Sequence, residues 1–160
     1  MEGQGSGGRV MAVRMELSRL LIRELTDMQI IELREVLPVE SAGAVAEGDS
    51  AQPAGRTFPI VIGLPEALAI DRRLKGLPIT RPQSHDLMAS IIDAMGGRLE
   101  SIIINDLSGG TFFATLKIRQ GEKDLAVDAR PSDAIALGVA TNVPIFVAEH
   151  VLSAAAAEEA

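Results

Sequence analysis

Apolar and polar residues alternate along several short segments of this chain. The clearest alternation is in Thr111–Arg119, where Phe112, Ala114, Leu116 and Ile118 share one side. A period of two residues is typical of a strand with one buried face. Similar patterns, bounded by turn residues, predict further strands at Met15–Glu24, Gln29–Val36, Thr57–Ile62, Leu99–Asp106, Lys123–Asp128 and Pro144–Val147.

Three other segments carry helical patterns. The first helix is predicted at Leu64–Lys75 and the second at Ser84–Met95, with Ser84 as a possible N-cap and Gly residues directly after its end. The third, Pro131–Thr141, opens with Pro and is apolar on nearly all sides, so we expect it to be buried.

The order of these elements predicts the fold class. The strands between Leu99 and Asp128 follow one another with only short turns, which indicates an antiparallel meander. The βαβ alternation of a nucleotide-binding α/β fold is missing. We therefore predict an α+β fold: a single domain with a mixed, mostly antiparallel sheet and about three packed helices.

Composition sets the domain limits. Gly-rich residues 1–14 are predicted to be a disordered N-terminal segment, residues 15–152 a folded domain with a flexible loop at 41–55, and residues 153–160 a disordered Ala/Glu tail.

The residue content excludes several classes of protein. The 160 residues contain no Cys, which removes disulfide, Cys-zinc and thiol chemistry. The net charge of −7 repels nucleic acid and works against a nuclease or a DNA-binding protein. No apolar run approaches a membrane span or the core of a signal peptide. We expect a cytoplasmic protein with no membrane partner.

Two polar segments lie where turns are predicted. In one, His85 stands in the first turn of a helix beside Asp86. This is either a capped helix start with a solvated imidazole, or a general base or metal ligand beside a carboxylate. In the other, Asp106 continues the apolar face of Ile102 and Ile104, which puts it at the sheet rim or beside a partner. An Asp that initiates a turn is the common alternative.

A third segment contains Asp128, Arg130 and Asp133. If the strand continues, Asp128 and Arg130 point the same way and can act together, and Arg130 can hold a phosphate at a helix N-terminus. A salt-bridged corner between strand and helix is the alternative. Glu66 and Asp71 are further carboxylates on the first predicted helix, and Asp71 borders its packed side. A partially exposed helix carboxylate is the favoured alternative for Asp71.

Common catalytic motifs are missing. The sequence has no GxGxxG after a strand, no GxxxxGK[ST], no HExxH and no GxSxG. The remaining set, carboxylates with one His, suits a hard divalent cation, so Mg²⁺ or Mn²⁺ is a possible cofactor and no organic cofactor is expected.

Taken together and in order, several segments resemble the bifunctional nuclease domain family over roughly residues 15–152. The most specific is the run from Asp128 to Ala134. The resembling segments are Phe58-Pro59-Ile60-Val61-Ile62-Gly63, Glu66-Ala67, Arg81-Pro82, His85-Asp86-Leu87, Asp106-Leu107, Gly110-Thr111-Phe112, Asp128-Ala129-Arg130-Pro131-Ser132-Asp133-Ala134-Ile135-Ala136-Leu137 and Pro144-Ile145-Phe146-Val147.

This resemblance implies a small α+β domain, often dimeric, with nuclease activity on both RNA and DNA. Two positions depart from the usual pattern: Ser84 stands where the family usually has Thr, and Phe113 where it usually has Tyr. The first keeps a hydroxyl, whereas the second loses a phenol and any role it has.

Two functional hypotheses follow. The first is a phosphodiesterase in which His85 is general base or acid and Arg130 and Arg81 bind the phosphate. Its predicted catalytic residues are His85, Asp86, Asp106, Asp128, Arg130 and Asp133, with Asp106, Asp128 and Asp133 as metal ligands and Glu66 and Ser132 in support. The second is a non-enzymatic dimeric interaction or regulatory module in which the same polar residues are structural.

Overall fold

A computed structural model describes residues 11–23, 25, 28–37 and 55–159 of the chain. Residues 1–10 of the predicted disordered segment and residues 41–54 of the predicted loop lie outside the described residues. The strands are β1 (Ala12–Leu21), β2 (Gln29–Glu35), β3 (Thr57–Ile62), β4 (Gly97–Ser108), β5 (Thr111–Gln120), β6 (Lys123–Ala129) and β7 (Ile145–Ala148). The helices are α1 (Leu64–Lys75), α2 (Ser84–Ala94), α3 (Pro131–Gly138) and α4 (Glu149–Glu159).

The seven strands form one mixed sheet in the order β3-β2-β1-β7-β4-β5-β6. Only β4 and β7 pair in parallel, and every other neighbouring pair is antiparallel. The predicted α+β class and the β4–β5–β6 meander are therefore confirmed. No helix among the described residues is long and apolar enough to cross a membrane.

The sheet is strongly curled. Phe58 is in β3, at one edge, and Phe112 is in β5, five strands away, yet their ring centroids are 5.6 Å apart. In a flat sheet five strand spacings would separate them by roughly 24 Å. The curl brings the β3 edge close to the start of β5 and leaves a seam between the two ends of the sheet.

Helix α3 is the most buried helix of the described residues. Every one of its residues is buried except Asp133, which is half-buried. This confirms the burial expected from its apolar sequence. The helix ends at Gly138, and a short 3-10 turn, Val139–Thr141, follows it in place of the predicted continuation.

Two expectations differ from the structure. Residues 153–159 of the predicted disordered tail continue helix α4, and Ala155 among them is buried. Asp106 does not continue the face of Ile104, because a register shift lies between the two residues in the β4–β5 pairing. Asp106 is consequently exposed.

Candidate active site

The first turns of three helices meet at one place. Glu66 is the third residue of α1, His85 the second residue of α2 and Asp133 the third residue of α3, while Arg130 is the residue directly before α3. The N-terminus of a helix carries a partial positive charge and unpaired amides. Three such termini together favour an anion at this place.

Hydrogen bonds join these four side chains in a row. Asp133 Oδ1 lies 3.0 Å from Nε2 of His85, and Arg130 donates to both Asp133 oxygens, at 2.8 and 3.1 Å. Nη2 of Arg130 also donates to Glu66 at 3.0 Å. Because 48 residues separate His85 from Asp133, only the fold brings them together.

The imidazole of His85 is held in one tautomer. Because an ionised Asp133 carboxylate can only accept a hydrogen bond, Nε2 of His85 must carry the proton and donate it. No described residue forms a hydrogen bond with the other ring nitrogen, Nδ1. Nδ1 is also not among the buried side-chain atoms of the described residues that lack a hydrogen-bond partner. An imidazole oriented in this way by a carboxylate is the arrangement of a general base.

Asp133 stays ionised although the protein partly covers it. Burial raises the pKa of Asp133, but hydrogen bonds from Arg130 and His85 outweigh this effect, and the net pKa lies below the usual value. The hydrogen bonds of Asp133 and Glu66 raise the pKa of Arg130 in turn. Asp133 and Arg130 therefore both carry their charges at neutral pH.

Arg130 keeps hydrogen-bond donors for a ligand. Its Nε and Nη2 hold the two carboxylates, whereas Nη1 has no hydrogen-bond partner in the described part of the chain. The Arg130 side chain is 61% exposed. A guanidinium in this state can donate to a phosphate oxygen.

These side chains line an open cavity of about 370 Å³. Glu66, His85, Arg130 and Asp133 all face it, together with Arg72 and the polar residues at the start of α2. The volume lies within the range of small-molecule sites.

Asp86 has a different environment from its neighbour His85. Its two oxygens accept hydrogen bonds from Arg72, at 2.6 Å, and from Arg73, and the Gln83 backbone N–H also donates to it, at 3.0 Å. Burial raises the pKa of Asp86, but these hydrogen bonds and charges lower it below the usual value overall. Gln83, not Ser84, is the N-cap residue of α2.

Arg73 extends this ion cluster into the core. It donates to the carbonyl oxygens of Ala136 and Leu137, at 2.6 and 3.1 Å, near the end of α3. The contacts of Asp86 and Arg73 are those of a structural clamp that joins α1, α2 and α3.

The remaining candidate residues lie outside the row. Asp106 lies 3.6 Å from Nε2 of His150, and Asp128 is exposed on edge strand β6. The hydrogen bonds of Arg130 to described residues go to Asp133 and Glu66, not to Asp128. Neither lines the cavity of His85. Arg81 is exposed, and Ser132 is buried on the other side of Arg130, beside the seam.

The predicted metal ligands are not gathered by the fold. Within the described residues, no group of three His, Cys, Asp or Glu side chains is placed to hold a metal ion. Both Asp133 oxygens are already engaged by Arg130 and His85. The residues present do not fit a resident Mg²⁺ or Mn²⁺, so we assign no step to a metal.

Comparison with known proteins identifies the family. The bifunctional nuclease domain matches residues 50–160, more than half of the chain. The chain belongs to the bifunctional nuclease domain family. Strands β1 and β2, which the sequence resemblance from residue 15 includes, precede the matched residues.

Two relatives of this bifunctional nuclease domain are proteins of Mycobacterium tuberculosis, one from strain CDC 1551 and one from strain H37Rv, and both are named only as uncharacterized proteins. Each is 42% identical to this chain over 100 residues, which are 62% of this chain and 59% of the relative. The matched part thus spans less than two thirds of the relatives.

Sequence reasoning missed three residues around the site. Arg72 and Arg73 stand in the last turn of α1, and nothing in their local pattern distinguishes them from solvated helix cations. By residue type Ser84 is a better capping residue than Gln83, so the sequence alone favours Ser84 as the N-cap. A signal that was available is the acidic Asp86 three residues after Gln83, which is the spacing of a capping box.

Proposed function

We propose that this bifunctional nuclease domain hydrolyses phosphodiester bonds of nucleic acid at the cavity lined by His85, Asp133, Arg130 and Glu66. The observation that supports it is the row of hydrogen bonds in which a carboxylate orients an imidazole beside an exposed guanidinium. Family membership supports the substrate class.

The proposed reaction needs only these side chains and water. Nδ1 of His85 takes a proton from a water molecule whose oxygen attacks phosphorus. The bond from phosphorus to the leaving sugar oxygen breaks, and the protonated imidazole returns its proton to that oxygen. Arg130 stabilises the negative charge that builds on the phosphoryl oxygens, and Asp133 stabilises the imidazolium.

The test uses labelled RNA and DNA oligonucleotides and the chain's two His residues. His85→Asn should lower turnover by about 10²-fold or more, the usual contribution of a general base. The matched control is His150→Asn, because His150 is 63% exposed and lies outside the cavity. Circular dichroism verifies that both variants are folded. Equal turnover by both variants would refute the assignment and indicate a contaminating nuclease.

A metal requirement is tested in the same assay. Turnover is measured with Mg²⁺, with Mn²⁺ and with a chelator. Abolition by the chelator would show that a metal takes part in the reaction, and Asp106→Asn and Asp128→Asn then ask whether the carboxylates predicted from sequence contribute ligands.

A second candidate function is a dimeric interaction module. Leu87 and Ile91 of helix α2 and Met95, the residue directly after it, are spaced by four residues and are 52%, 47% and 65% exposed. An exposed apolar stripe of this kind favours helix pairing with a second copy of the chain. Light scattering tests it: Ile91→Lys should convert a dimer to a monomer, and a wild-type monomer would rule this candidate out.

A further inference from the structure

A second cavity adjoins the candidate active site. It measures about 380 Å³ and occupies the seam of the curled sheet, between β3 and the turn that joins β4 to β5. Arg130 lines both cavities. The two spaces therefore meet at Arg130, the residue to which we assign phosphate binding.

The two cavities differ in charge. The cavity around His85 is also lined by Glu66, Asp133 and Arg72. In the described part of the chain, Arg130 is the one charged residue that lines the seam cavity. A ligand that spans Arg130 must accordingly have a charged group at Arg130 and a neutral body in the seam. A phosphate ester of a nucleoside has this distribution of charge.

The seam cavity also has the surface that a nucleobase requires. Phe112 lines it and stacks on Phe58, which is buried, so the accessible part of the aromatic pair belongs to Phe112. Gly63 and Gly110 contribute backbone without side chains. An aromatic ring and apolar walls suit a base and its sugar, and such stacking is tolerant of base identity.

We infer that the seam cavity is a nucleoside subsite, which holds the nucleoside attached to the phosphate that Arg130 binds. This inference rests on the proposed function for the phosphate position. Because the exposed Arg130 lines both cavities, we expect the site to bind a single phosphate with its nucleoside. The preferred substrate is accordingly a short single strand or a strand end, since a long duplex needs a track of cations.

Binding of mononucleotides tests the subsite without turnover. Calorimetry compares adenosine monophosphate and uridine monophosphate with ribose 5-phosphate and inorganic phosphate. We expect both nucleotides to bind about tenfold more tightly than either base-free probe, the lower part of the range for stacking of one base. Equal affinity for all four probes would overturn the inference and would indicate a phosphate site alone.

Matched variants locate the binding. Val61→Trp and Thr111→Trp enlarge residues on the two sides of the seam cavity, and Leu68→Trp is the control because Leu68 is 47% exposed on α1 and lines neither cavity. We expect at least one seam variant to weaken nucleotide binding about tenfold without changing that of inorganic phosphate. Unchanged affinity in both seam variants would overturn the subsite.

The outcomes separate this inference from the proposed function. Nucleotide binding that the seam variants weaken, without hydrolysis of any oligonucleotide, supports the subsite and refutes the nuclease. Hydrolysis that is indifferent to the seam variants and to an abasic residue beside the cleaved phosphate supports the nuclease and refutes the subsite.

Discussion

Replacing Asp86 by Asn tests whether this carboxylate stabilises the fold or takes part in the proposed reaction. The change keeps the shape of the side chain and removes its charge. It leaves the guanidinium groups of Arg72 and Arg73, whose side chains are 16% and 9% exposed, without their counter-charge. A reduced unfolding free energy is the expected result.

The magnitude follows from the contacts. Asp86 accepts hydrogen bonds from two guanidinium groups and one backbone amide, and a hydrogen bond to a charged group contributes about 1.5–3 kcal/mol. Breaking a fully buried pair costs about 3–5 kcal/mol. Since the Asp86 side chain is 16% exposed and water screens part of the interaction, we expect a loss of about 2–4 kcal/mol. The melting temperature should fall by roughly 5–12 °C.

Urea unfolding followed by far-ultraviolet circular dichroism measures this loss, because the chain has no Trp or Tyr for fluorescence. Asp71→Asn is the control. Asp71 pairs with Lys75 at 3.1 Å on the surface of α1, where such a pair contributes about 0.5 kcal/mol or less. An Asp86→Asn protein as stable as the control but unable to hydrolyse substrate would refute the structural role and place Asp86 in the chemistry.

Three further predictions follow from the structure. Gly138→Ala places a Cβ 2.9 Å from Cδ1 of Ile102, so overpacking should cost about 1–3 kcal/mol in urea unfolding, and unchanged stability would contradict this packing. The pKa of Asp86 and that of Asp133 are lowered in the folded protein. The stability that these two carboxylates contribute to the fold is therefore complete above the unfolded pKa of about 3.9 and is lost as the pH falls from there through the folded-state pKa. Urea unfolding between pH 7 and pH 3 should show this loss, less steeply in Asp86→Asn, and equal slopes would contradict it. Glu66→Gln should tighten binding of inorganic phosphate in calorimetry, because it removes a negative charge beside Arg130, and weaker binding would contradict this.

Local patterns predicted those parts of the fold that neighbouring residues determine. The alternation in β5 and the apolar α3 were sufficient because each pattern encodes one buried face or one buried helix. The register shift between Ile104 and Asp106 depends on how β4 pairs with β5, and no property of β4 alone reveals it. The prediction that Asp106 shares the face of Ile104 was wrong for this reason.

In the candidate site, too, contacts between near neighbours in sequence could be predicted, whereas contacts between distant residues could not. Arg130 and Asp133 are three residues apart at a helix start, and this spacing is enough to predict that they pair. The contact of His85 with Asp133 and that of Glu66 with Arg130 need the packing of three helices on a curled sheet. The expected partner of Arg130 was Asp128, but β6 ends at Ala129, and the chain turns into α3 instead of continuing as a strand.

The two carboxylates on Arg130 act in opposite directions on a substrate. By fixing Nε and Nη2, Asp133 and Glu66 hold the guanidinium plane before a phosphate arrives, and less side-chain entropy is then lost on binding. Their charges also reduce the attraction for that phosphate, in a chain that already carries a net charge of −7. Such a site orients a phosphate better than it attracts one. We therefore expect the neutral part of the ligand to contribute to affinity, which is the role that we infer for the nucleoside subsite beside Arg130.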